Sequence, residues 1–223
     1  MIRAVLFDMD GLMFDTERLI ADLWDSLGEE RGIGEIAQVM PETMGMRDGD
    51  IRKFFCRRFG EDFPFEWFNS EYRKRMDEGM LKSGLPVKPG LYTLLNYLKK
   101  RGDCKLAVAS STSRKHVLQY CEMAHVTDFF DAIICGDMVR KSKPDPQIYL
   151  VAAKEVGIPA QDCMVLEDSP NGCVSGSRAG AKVVMVPDLV QPDEALKKIL
   201  YACVGTLEDV VPLLERDKSG ENG

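Results

Sequence analysis

Five short apolar runs punctuate the chain: Arg3–Phe7, Lys105–Ala109, Ala132–Cys135, Cys163–Leu166 and Lys182–Val186. Each closes in a polar or Gly-rich turn. Runs this short and this continuous predict buried strands of a parallel sheet. Between them, Leu91–Arg101, Arg114–Ala124, Pro146–Val156, Gly172–Ala179 and Asp193–Tyr201 carry helical patterns suited to crossovers. The alternation predicts a doubly wound α/β fold with its functional groups at the carboxyl ends of the strands.

From about residue 14 to residue 87 the pattern changes. No buried strand is apparent, and Thr16–Arg31, Asp48–Phe59 and Phe65–Lys82 read as helices. A helical cap spanning 14–87, inserted after the first strand, is therefore expected, leaving 1–13 and 88–215 as the catalytic core. Gly28–Gly34 is Gly-rich, and Lys82–Gly90 carries Gly84, Pro86, Pro89 and Gly90, so turns and a hinge are predicted there. The polar tail 216–223 is expected to fray. No internal repeat is present.

Composition narrows the function. With 223 residues and 45% hydrophobic content, the chain can bury a substantial core. A net charge of -7 argues against a nucleic-acid partner, whose binding depends on neutralising phosphates. The seven cysteines form no C-x-x-C pair and sit mostly among apolar neighbours, which suits free thiols in a reducing cytosol. No apolar stretch reaches the 18 or so residues of a membrane span, and the first segment lacks the run of a signal peptide. A cytoplasmic monomer with no membrane partner is expected.

Four clusters carry candidate chemistry. Asp8 and Asp10 stand two apart at the end of the first strand, so in extended geometry their side chains share a side. Such a pair is stable if a hard cation such as Mg²⁺ neutralises it, or if one member holds a proton. Gly11 then allows a sharp turn. Glu167-Asp168-Ser169 follows the fourth apolar run and puts a second acidic pair at a strand end; a helix N-cap accounts for one of these groups but not for two adjacent acids. Ser110, Ser111 and Thr112 follow the second run, where hydroxyls and amides either hold an anion or cap the next helix. In Lys143-Pro144-Asp145-Pro146 a lysine precedes a proline-stiffened helix start, placed either to balance acids and phosphate oxygens or to face solvent.

Taken together, Asp8-Met9-Asp10-Gly11-Leu12, Ser110, Lys143-Pro144 and Glu167-Asp168-Ser169 resemble the four motifs of haloacid-dehalogenase-type phosphatases, a likeness running from Val5 to about Val186. The cap position resembles the branch holding phosphoglycolate phosphatase and β-phosphoglucomutase. The resemblance implies a five-stranded Rossmann-like core and a mobile cap. It implies that Asp8 is the nucleophile and that Asp10 is the acid and then the base. Ser110 and Lys143 would grip the phosphoryl oxygens. Mg²⁺ would be held by the Asp8 carboxylate, the Asp10 carbonyl and Asp168, with Glu167 nearby. A small phosphate ester would be the partner, with Gly11, Thr16, Arg47 and Ser111 as candidate substrate contacts. Arg47, after Gly45 at a predicted helix start, is either the cap residue that reaches a second anionic or hydroxylated end of the substrate or a surface arginine.

Rival readings stay open at this level: a phosphosugar mutase, and a silent binding protein that kept the fold. The β-phosphoglucomutase pattern has a histidine on the first cap helix where Ile20 stands here, which favours hydrolysis. A dehalogenase is disfavoured by the second Asp of the D-x-D pair. His116 and His125 lack further ligands at zinc spacing, and Met40, Met44, Met46, Met76 and Met80 read as cap packing, with a few able to line a pocket.

Overall fold

The structure, a computed structural model, describes residues 1–219. Its centre is a six-stranded, wholly parallel sheet in the order β3-β2-β1-β4-β5-β6. The strands are β1 (Ala4–Phe7), β2 (Lys105–Ala109), β3 (Ala132–Ile134), β4 (Cys163–Glu167), β5 (Lys182–Met185) and β6 (Ala202–Cys203). Alternate residues of β1 feed two different apolar layers. Val5 and Phe7 join one layer with Leu94, Leu95 and Val117, while Ala4 and Leu6 join the other with Ile148, Tyr149 and Ala152. Both sheet faces are covered, and this is why the strands read as unbroken apolar runs.

The helices of these layers are α5 (Leu91–Arg101), α6 (Arg114–Met123), α7 (Gln147–Glu155), α8 (Pro170–Arg178), α9 (Glu194–Lys197) and α10 (Val210–Ser219). They follow the helical unit after β1, which comprises α1 (Thr16–Glu30), α2 (Met40–Thr43), α3 (Asp48–Phe59) and α4 (Phe65–Ser83). That unit has its own apolar centre around Trp24, Phe55, Phe63 and Phe68. Trp24 meets Phe55 edge to face with ring centroids 5.1 Å apart, a geometry worth about 0.5–1.5 kcal/mol beyond burial. The chain leaves and re-enters the sheet region at one place, where Phe14 bridges Val87.

Register fixes where the chemistry lies. Phe7 is level with Val108 of β2 and Leu166 of β4, so Asp8, Ser110 and Asp168 emerge along one edge. This edge is also where the sheet order reverses between β1 and β4, the crevice in which ligands of such folds bind.

Two expectations need correction. A sixth strand is present, and the helix expected over Asp193–Tyr201 ends at Lys197. The Tyr201 N–H donates to the Val183 carbonyl at 2.7 Å and that of Val204 to Met185 at 2.9 Å, which draws the chain into the sheet. The last helix runs through Ser219, with Asp217 buried and hydrogen-bonded to the Ile2 N–H and to Lys182; residues 220–223 of the tail expected to fray lie outside the described residues. Among the described residues no helix is long and apolar enough to cross a membrane.

Candidate active site

Asp8 is the first residue past β1, and its N–H still donates to Leu166 at 3.0 Å. The turn beyond closes through Met13 N–H to the Met9 carbonyl and Gly11 N–H to the Phe14 carbonyl, both 2.9 Å. Gly11 sits at φ +78°, and a Cβ there would strike the Asp168 carboxylate and lie 3.0 Å from the Glu17 carboxyl carbon. Glycine is required by conformation and by close approach together. Gly11 therefore makes room for two acids.

Lys143 joins the acidic pairs. Its ammonium, on a side chain 1% exposed, donates to Asp8 and, at 2.6 Å, to Glu167 Oε1. The Tyr149 hydroxyl donates to the same Glu167 oxygen at 2.6 Å. Glu167 Oε2 accepts from the Ser169 hydroxyl at 3.0 Å and from the N–H groups of Asp168 and Ser169 at 3.2 Å. Glu167 is thus saturated by hydrogen bonds and orients Lys143. Asp168 is the opposite case: its buried Oδ2 has no hydrogen-bond partner.

Donor oxygens of Asp8, Glu167 and Asp168 lie within 4.8 Å of one another, an all-oxygen set of the kind that suits a hard divalent cation. Burial pushes Asp8 up to about 8, against the pull of Lys143. Burial, then the Glu17 carboxylate, pushes Asp168 well above the ordinary carboxylate range. Burial, then Asp10, does the same to Glu17. Lys143 moves upward, the acids at Asp8 and Glu167 outweighing its burial, so it stays charged. Carboxylates raised together by desolvation and mutual repulsion call for a counter-cation.

Asp10 stands outside this group. Its Oδ1 accepts from Thr16 at 2.8 Å, and its Oδ2 from Thr112 at 2.7 Å and from Ser110 at 3.5 Å. Hydroxyls thus hold both Asp10 oxygens, and its carboxylate is not in the 4.8 Å set that Asp8, Glu167 and Asp168 form among the described residues. Both aspartates line one cavity roofed by the helical unit, with Ile20, Trp24 and Met76 among its apolar walls. Met40, Met44 and Met46 line it too, whereas Met80 is packed in the core.

Two further candidate substrate contacts have partners within the protein. Ser111 lines the cavity, but its hydroxyl donates to the Gly45 carbonyl at 2.6 Å. Arg47 does not line it. Its guanidinium donates to the carbonyls of Val139 at 2.6 Å and Arg140 at 2.7 Å, and to the Ser142 hydroxyl at 3.0 Å.

A family model described as haloacid dehalogenase-like hydrolase matches residues 5–186. The chain belongs to the haloacid dehalogenase-like hydrolases. YhcW of Bacillus subtilis, which carries a phosphatase name, is 33% identical over 192 residues, covering 85% of this chain and 86% of that protein. The phosphorylated carbohydrates phosphatase of Thermotoga maritima is 29% identical over 182 residues, covering 80% of this chain and 82% of its own. The crystal structure of CbbY from Rhodobacter sphaeroides in complex with phosphate superimposes with a TM-score of 0.78 at 26% identity, over 94% of this chain and 96% of that one.

In this haloacid dehalogenase-like hydrolase, several cavity residues escaped the sequence reading. Glu17 had a signal, an acid directly after Thr16, but one that equally suits the first turn of any helix. Thr112 was visible only as a third hydroxyl in Ser110-Ser111-Thr112. Arg73 lies in the basic run Arg73-Lys74-Arg75 and looks like a solvated face, yet it lines the cavity and donates to Asp48 at 2.7 Å.

Proposed function

We propose that the protein is a Mg²⁺-dependent phosphatase of small phosphorylated metabolites, working through an aspartyl-phosphate on Asp8. It would act as a monomer in the cytosol, with the helical unit as a cap over the site. One observation carries this reading: at the floor of one cavity, Asp8 is held by Lys143 beside Asp168 while Asp10 is held apart by Thr16 and Thr112. Nucleophile and proton carrier are thereby separated.

Asp8 would attack phosphorus as the bond to the leaving oxygen breaks, and Asp10 as general acid would give that oxygen a proton and release the alcohol. Water would then attack the aspartyl-phosphate and Asp10 would take up its proton, which frees phosphate and restores Asp8. Lys143, with the Ser110 hydroxyl, would balance charge on the phosphoryl oxygens. Asp8 and Asp168 fit a Mg²⁺ ion, Asp168 Oδ2 being buried without a partner. When bound, the ion neutralises the phosphoryl charge that the acids would otherwise repel.

Ile20 lines the cavity and cannot exchange a proton with Asp10, which supports water over a sugar hydroxyl as acceptor. The test is hydrolysis of p-nitrophenyl phosphate with Mg²⁺ and after chelation. A parallel incubation takes β-glucose 1-phosphate with a trace of glucose 1,6-bisphosphate. Mg²⁺-dependent release of p-nitrophenol, and more inorganic phosphate than glucose 6-phosphate, are expected. No turnover in either assay would remove the phosphatase reading, and glucose 6-phosphate in large excess would replace it with the mutase.

A further inference from the structure

The cavity has an unbalanced charge. Its charged lining consists of Asp8, Asp10, Glu17, Asp48 and Asp168 against one cation among the described residues, Arg73. That cation is already matched. Arg73 is 16% exposed and its Nη2 donates to Asp48 Oδ1 at 2.7 Å, while Nη1 lies 3.5 Å from His116 Nδ1. Two further cations, neither of them lining the cavity, are engaged elsewhere: Lys143 between Asp8 and Glu167, and Arg47 on the 139–142 loop and Asp50.

Resting on the phosphatase reading above, we propose that the substrate is a phosphate monoester of an uncharged alcohol, and that the Arg73–Asp48 pair sets this specificity. Lys143 and the cation site serve the transferring phosphoryl group. A carboxylate or second phosphate on the leaving group would sit among acids with no free cation, where like charges and lost hydration both act against it. A neutral oxygen meets no such penalty. It suits the Nε–H of Arg73, which is buried without a hydrogen-bond partner, because a donor left unpaired costs more than one given a neutral acceptor. Specificity of this kind arises chiefly from what the site repels.

Two matched pairs test it: glycerol 3-phosphate against 3-phosphoglycerate, and sorbitol 6-phosphate against 6-phosphogluconate. In each a hydroxymethyl group is exchanged for a carboxylate on the same carbon frame. The wild-type protein with Mg²⁺ should show kcat/KM at least ~10-fold higher for the neutral member of whichever pair it hydrolyses faster. Asp48→Asn leaves the Arg73 charge unmatched and should narrow that ratio by lowering the KM of the carboxylated member, whereas Arg73→Gln, which removes the Nε–H donor, should raise the KM of the neutral member. Equal or better turnover of the carboxylated member by the wild type would overturn the proposal, as would an unchanged ratio in a folded Asp48→Asn. If p-nitrophenyl phosphate is hydrolysed while the neutral members show no advantage, this inference alone fails. If nothing is hydrolysed, the phosphatase reading fails and this falls with it.

Discussion

The ammonium of Lys143 lies 2.6 Å from the carboxylate of Glu167, with side chains 1% and 0% exposed. A charge pair removed from water this completely is costly to break, because the surviving partner keeps its desolvation without its counter-charge. Lys143→Met should therefore lower unfolding free energy by about 3–5 kcal/mol, beyond its effect on turnover. Urea denaturation checks this through a lower midpoint at unchanged slope. A loss below about 1 kcal/mol would mean that Glu167 finds another counter-charge.

Asp8→Asn keeps nearly the same shape and removes the nucleophile. Turnover of any phosphate monoester should fall by more than ~100-fold, a barrier increase above about 2.7 kcal/mol, with the circular dichroism spectrum unchanged. Mass spectrometry must exclude deamidation back to aspartate in the assayed sample. Activity within a hundredfold of wild type would end the assignment of Asp8 as nucleophile.

How far these residues were legible follows from where their constraints originate. Asp8, Ser110 and Asp168 follow strands whose apolar runs are unbroken because two layers cover them, so a local pattern predicts the shared edge. β6 is only two residues long and is formed by pairing of Ala202 and Cys203 with Val184 and Met185. Pairing with the preceding strand, 18 residues upstream, makes it a strand, where its own two residues carry no pattern. Arg47 and Arg73 differ in the same way. Both precede or lie on helices of the unit after β1, but the carbonyls of Val139 and Arg140, remote in sequence, take up Arg47, and packing turns Arg73 inward.

Asp168 should report cation binding directly. Its unpartnered Oδ2 and the raised carboxylates around it favour any state that brings in positive charge. Added Mg²⁺ should raise Tm, with about 2.7 kcal/mol of stabilisation at one hundred times the dissociation constant. In Asp168→Ala the rise should vanish. Equal shifts in both proteins, read by differential scanning fluorimetry without substrate, would place the cation elsewhere.

Asp217 ties the last helix to the sheet, and its contribution should depend on pH in a definite direction. Its carboxylate accepts from the Ile2 N–H and, at 2.7 Å, from Lys182. Burial raises its pKa, but the hydrogen bond from Lys182 and that from Ile2 outweigh it, and the net displacement is downward. A group whose folded value lies below its unfolded one stabilises the native state fully above the unfolded value, about 3.9 for aspartate, and loses that contribution as pH falls through the folded value. Asp217→Asn keeps the shape but loses the charge, so it should cost about 1–3 kcal/mol near neutrality. The gap between wild type and variant in unfolding free energy should stay flat from about pH 5 to 8 and close below about pH 4. A gap that persisted unchanged into acid would show that the ionised state of Asp217 contributes nothing, and that the cost of the substitution is one of packing.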